Sequence, residues 1–138
     1  MALGDLVVEE TGTVTGIRVL SNDASGSKLE ISMRTTGTIR GVAESSLWTY
    51  SQLTRPDGSI YGEGEGVMTT QDGDVIQWKA SGSGKVAAPG DTINVRFVVM
   101  CFAHTASVKY ADLNSIGLAV HHDVAADGST VGKGWEWK

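Results

Sequence analysis

Apolar and polar residues alternate along almost the whole chain, and runs with a helical period are nearly absent. The alternating runs cover residues 11–20, 28–40, 44–55, 59–70, 74–86, 92–104, 115–124 and 130–138, with a short piece at 6–9 before the first. Turn residues separate them: Pro56-Asp57-Gly58-Ser59, Asp72-Gly73, Ala88-Pro89-Gly90-Asp91 and Ala126-Asp127-Gly128-Ser129. Proline presets one turn angle and glycine accepts a positive φ, so these clusters punctuate strands. Residues 105–114, around Tyr110-Ala111-Asp112-Leu113, are the one candidate for a helical turn. Eight strands joined by short turns predict an all-β fold: an eight-stranded antiparallel up-and-down barrel of calycin type, one domain over residues 1–138.

The central hairpin sharpens this reading. Gly62, Gly64 and Gly66 fall on every second residue, and after the Asp72-Gly73 turn Gly82 and Gly84 repeat the spacing. Residues two apart share a strand face, so one face is stripped of side chains on both arms. Glycine weakens a strand, and a tight bend or a close neighbour is the usual reason for keeping it. A two-residue turn pairs Gln71 with Asp74 and puts Glu63 and Glu65 on the face of Ile76, Trp78 and Ala80. A three-residue loop with a glycine bulge pairs Thr70 with Asp74 instead. It then sets Gly66 against Trp78, Gly64 against Ala80 and Met68 against Ile76, with Glu65 near Lys79 and Glu63 near Ser81 on the other face. The bulged register sorts apolar from charged, and a one-residue slip destroys the sorting. It also lays the Trp78 indole over the bare backbone of Gly66.

The sixth run has Val95, Phe97, Val99 and Cys101 on its core face, yet its other face carries Val98, Met100 and Phe102. Such an outer patch predicts a homo-oligomer interface, unless residues 105–114 fold back over it. The formal net charge of −5 argues against a nucleic-acid partner. No apolar stretch reaches the length of a membrane span, and residues 1–20 lack the basic start and apolar run of a signal peptide. Cys101 is the single cysteine and sits in an apolar run, which reads as a buried, inert thiol in a cytoplasmic protein.

Motifs that carry chemistry are sparse. Gly62-Glu63-Gly64-Glu65-Gly66 lacks the spacing and the following helix of a dinucleotide-binding loop. Glu63 and Glu65 share a face, and in the bulged register that face is solvated; only the two-residue turn would send them inward. In His121-His122-Asp123 neighbouring side chains point opposite ways, and His122 shares phase with Ile116, Leu118 and Val120, so it is the inward histidine. No third and fourth ligand assemble around it, so no metal and no cofactor are expected. Trp48, Trp78, Trp135 and Trp137 either fill the space that the glycines leave or, with those glycines, frame an apolar pocket with a few polar fixings. The candidate lining is Trp48, Tyr50, Gln52, Trp78, Arg96 and His122.

Tyr61-Gly62-Glu63-Gly64-Glu65-Gly66, the Asp72-Gly73 turn, Trp78 and Gly82-Ser83-Gly84 resemble the glycine-alternating hairpin of the allene oxide cyclase and dirigent type of barrel. Arg55-Pro56-Asp57-Gly58 and the terminal Gly134-Trp135-Glu136-Trp137-Lys138 are similar to a group of uncharacterised small prokaryotic proteins thought to share it. The resemblance implies an oligomeric barrel that holds a flexible apolar substrate in a shaped cavity; it carries over no catalytic residue. Three functions are open: binding of a small apolar molecule in the lumen, cyclase or isomerase chemistry by substrate folding, or a structural oligomer with a filled barrel. An interior void of a few hundred Å³ would favour the first two.

Overall fold

The computed structural model describes residues 3–86 and 93–138. Eight antiparallel strands follow in chain order and close on themselves: β1 (Leu3–Asp23), β2 (Gly26–Ile39), β3 (Val42–Thr54), β4 (Ser59–Thr70), β5 (Val75–Val86), β6 (Ile93–His104), β7 (Gly117–Ala125) and β8 (Ser129–Trp137). The turn expected at 88–91 lies outside the described residues. Even-numbered positions of β3, β4 and β5 face the lumen, which is why their inward residues alternate with exposed ones.

The first strand differs from the sequence reading. It runs through both the 6–9 piece and the 11–20 run as one element of 21 residues. Register shifts between Val14 and Gly16 and between Val19 and Ser21, facing β2, and between Leu3 and Val8, facing β8, explain the difference. Each bulge adds a residue and flips the parity, so alternation breaks while the strand continues. The pairing of β1 with β8 stops at Thr13 opposite Ser129, whereas its pairing with β2 continues to Asp23 opposite Gly26. Beyond Val14, therefore, β1 is paired along one side only among the described residues.

The β4–β5 hairpin has the bulged register. Met68 pairs with Ile76, Gly66 with Trp78, Gly64 with Ala80, Glu65 with Lys79 and Glu63 with Ser81. The Thr70 N–H donates to the Asp74 carbonyl at 2.9 Å, and Gly73 takes the positive φ of 86° that the loop needs. Glu63 and Glu65 are exposed on the outside, with Glu65 3.6 Å from Lys79. One detail is corrected. Gly66 pairs with Trp48 on one side and Trp78 on the other, and the indole that lies over it is that of Trp48.

One barrel end is stoppered by the β6–β7 connection, whose 3₁₀ turn Ala111–Ser115 falls where a helical turn was expected. Tyr110 and Leu113 are buried there with Val7, Ile39 and Ile76. Bidentate hydrogen bonds from Arg40 to Asp112, at 2.9 and 2.6 Å, tie the stopper to the β2–β3 turn. Because the connection caps the end, it leaves the outer patch bare: Val98 is 61% exposed and Phe102 53%, with Met100 half-buried beside them. Trp135 and Trp137 lie in phase with exposed β8 residues, and only Trp48 and Trp78 reach the lumen. Among the described residues no helix is long and apolar enough to cross a membrane.

Candidate functional site

The lumen holds two packed clusters. One gathers Val8, Met68, Trp78, Cys101 and Leu118 toward the stoppered end; the other is Ile60, Val95 and Phe97 toward the opposite end. Between them lies a cavity of about 90 Å³. Its walls combine bare backbone and rings. A Cβ on Gly66 would meet the Trp48 ring at 2.4 Å, one on Gly64 the Cβ of Tyr50 at 2.4 Å, and one on Gly62 the Phe97 ring at 3.0 Å. The alternating glycines thus seat three aromatic side chains in succession. Gly132 is different: a Cβ there would meet nothing nearer than the His121 carbonyl oxygen at 3.7 Å. Its missing side chain is open space on the cavity wall.

Of the residues expected at the site, Trp48, Tyr50, Trp78 and His122 line the cavity together. Tyr50 Oη and His122 Nε2 are 3.3 Å apart, and Phe97 stacks on the imidazole with ring centres 5.8 Å apart. Burial pushes the His122 pKa down to about 4, Asp123 opposing only weakly, so the ring is neutral. Burial likewise pushes the Tyr50 phenol up to about 12. Gln52 is buried on the inner face, beyond the cavity lining. Arg96 does not join them. It alternates with the buried Val95 and Phe97, so its side chain leaves the barrel, is 54% exposed and pairs with Asp123 at 3.7 Å.

The indole N–H groups of Trp48 and Trp78 are buried and have no acceptor among the described residues. A buried polar group without a partner is uncommon and costs on the order of 1–3 kcal/mol. Both tryptophans line the same small apolar cavity, and the described residues supply neither donor with an acceptor.

Sequence reasoning missed the most polar element of the lumen. Glu10 on β1 and Glu44 on β3 both pair with Gly37 of β2, which stands between them without a side chain. The two carboxyls are in hydrogen-bond contact. Thr35 donates to Glu10 Oε2 at 2.7 Å, and Ser46 donates to Glu44 Oε2 at 2.7 Å. The remaining oxygen, Glu44 Oε1, is buried without a donor. Two carboxylates in contact do not both stay charged, so the pair holds a proton. Burial, then the contact with Glu10, pushes the Glu44 carboxyl up to about 8. Glu10 lines the cavity; across β8, its register neighbour Gly132 pairs in turn with His122. One signal was present in the sequence: Glu44 shares parity with Ser46, Trp48, Tyr50 and Gln52. Glu10 gave none, because it fell in the gap between the 6–9 piece and the first run.

Cys101 also lines the cavity. Burial, and secondarily the charge of Glu10, raise its thiol to about 12, which leaves it a poor nucleophile. A thiol reagent is expected to label the folded protein at least about a hundredfold more slowly than the unfolded chain. Equal rates in buffer and in denaturant would show that the lumen admits solvent freely. Among the described residues no group of three or more His, Cys, Asp or Glu is placed to hold a metal ion.

No protein-family model matches the sequence, and no curated protein matches it significantly. Solved structures do match its fold. A protein of unknown function from Clostridium acetobutylicum superposes with a TM-score of 0.85 at 18% identity, over 97% of this chain and 98% of that one. A beta-barrel like protein from Acinetobacter baumannii gives 0.77 at 16% identity, over 97% and 96%. An enzyme from Penicillium herquei gives 0.68 at 16% identity, over 97% and 96%. At these identities the likeness is one of fold: the chain is a small β-barrel of the same architecture.

Proposed function

We propose that this barrel binds a small, largely apolar molecule carrying a hydrogen-bond acceptor. The observation that supports the reading is the pair of buried indole donors without partners, Trp48 and Trp78, on a cavity whose remaining lining is mostly apolar. The volume limits the ligand. At about 90 Å³ the cavity is smaller than the few hundred Å³ of most ligand sites. A dry cavity of roughly 150 Å³ takes benzene, so the fit here is to a ring or short chain smaller than benzene. The packed ends of the lumen and a void below a few hundred Å³ favour the filled-barrel reading; the two buried donors favour binding.

Titration with small cyclic ketones, ethers and matched hydrocarbons, read by tryptophan fluorescence, tests the proposal. Quenching is expected with the oxygen-bearing members, and no response across the series would remove the reading. Gly132→Leu, which grows a side chain into open space, is expected to weaken binding at least about tenfold while the barrel stays folded. Unchanged affinity in that variant would put the ligand somewhere other than the lumen.

A second reading, cyclase or isomerase action of the kind implied by the likeness to allene oxide cyclase barrels, is favoured by one observation: the lumen holds an acid, Glu44, at the edge of an apolar chamber. The Penicillium herquei neighbour is described as an enzyme, which is compatible with this reading on the same architecture.

A further inference from the structure

We propose that the Glu10–Glu44 carboxyl pair is a proton-transfer centre that enolises a small ketone in the lumen, with the Trp48 and Trp78 N–H groups holding the oxygen on which charge develops. The proposal rests on lumen binding and goes beyond it by assigning chemistry to residues outside the binding set. Three observations carry it. Glu44 is buried, and its half-buried partner Glu10 reaches the cavity. The two donors on the same cavity lack acceptors, and Trp78 is only 3% exposed. Among the described residues no lysine or arginine forms an ion pair with Glu10 or Glu44; Arg40 pairs with Asp112 and Glu136, Lys79 with Glu65 and Arg96 with Asp123.

The step balances within the site. The carboxylate of Glu10 removes a proton from the carbon next to the ligand carbonyl. The C–H electron pair forms a carbon–carbon double bond, and the carbonyl pair moves onto oxygen, where the indole N–H groups stabilise the oxyanion. Glu44, which shares a proton with Glu10, keeps the second charge from forming beside the first. Glu10, now protonated, returns a proton to carbon. Where the pair has exchanged with solvent in between, the product carries a solvent hydrogen; where the ketone is unsaturated, return at the far carbon shifts the double bond. No oxidant or co-reactant is consumed.

Cyclobutanone in D₂O with the intact protein, followed by proton NMR, reads the reaction as loss of the signal from the carbons flanking the carbonyl. Exchange at least about tenfold above buffer is expected, abolished by Glu10→Gln and lowered about tenfold by Trp78→Phe, which keeps a ring and removes the donor. Gly132→Leu, which leaves both groups in place, is expected to return exchange to the buffer level. Binding is followed in the same samples by saturation transfer. Binding without exchange above the Glu10→Gln level overturns the proton-transfer proposal and leaves lumen binding standing. Absence of binding overturns both. Exchange that survives in Gly132→Leu occurs outside the lumen and overturns the assignment.

Discussion

Gly64→Ala is expected to destabilise the barrel by about 3 kcal/mol or more, whereas Gly132→Ala is expected to leave it unchanged or slightly more stable. Both glycines sit on the inner face, and both changes add one carbon. The difference lies in what that carbon meets. At Gly64 it lands 2.5 Å from the Thr49 carbonyl oxygen and 2.4 Å from the Tyr50 Cβ. Neither is the far end of a flexible side chain, so relief requires β3 to move away from β4 and breaks the ladder on which Trp48 and Tyr50 are seated. At Gly132 the nearest heavy atom is 3.7 Å away, and alanine reduces the freedom of the unfolded chain. Thermal denaturation of the two variants side by side checks the pair. Equal melting temperatures would mean that the glycine row is kept for something other than close approach.

A wild-type stability plateau between about pH 4.5 and 6.5, falling on its alkaline side, is the second expected result. Glu44 has its folded pKa raised from 4.5 to about 8, so the native state keeps a proton that the unfolded chain releases. Its contribution is complete at low pH and is lost as pH rises from 4.5 through about 8. His122 has its folded pKa lowered from 6.5 to about 4, so the unfolded chain takes a proton that the native state refuses. Its contribution therefore falls as pH drops from 6.5 toward 4. Between 4.5 and 6.5 the two slopes oppose each other; above 6.5 Glu44 acts alone, and a loss on the order of 2 kcal/mol by pH 8 follows. Glu44→Gln keeps the size, removes the titration and is expected to flatten the curve from pH 6.5 to 8. His122→Phe removes the opposing slope and is expected to make stability rise as pH drops from 6.5 to 4.5. Urea unfolding across this range reads both, and a wild-type curve flat from 6.5 to 8 would contradict the shared proton.

Strand order, closure and the β4–β5 register were legible because each rests on local information: parity, turn chemistry and the cost of a slip. His122 was placed inward by the same parity argument. Arg96 shows that rule neglected, since its own alternation with Val95 and Phe97 already sent it outside. The long β1 was hidden because bulges reverse parity without ending a strand. The carboxyl pair was hidden for a different reason. Glu10 and Glu44 meet only because β1, β2 and β3 stack in register across Gly37, and nothing near either residue announces the other. The identity of the indole over Gly66 was likewise undecided by pairing, because Gly66 has a tryptophan on each side and rotamer choice settles which one bends over it.

Ring closure deprives most strands of any free margin, but the second half of β1 keeps one. A row of unsatisfied amides and carbonyls there is a template onto which another chain can zip. Interruptions at the Val14–Gly16 and Val19–Ser21 steps make that template irregular, and Arg18, held 3.2 Å from Glu30, sets a charged group along it. The molecule thus guards by distortion and charge a border that, among the described residues, its circular topology leaves unsealed.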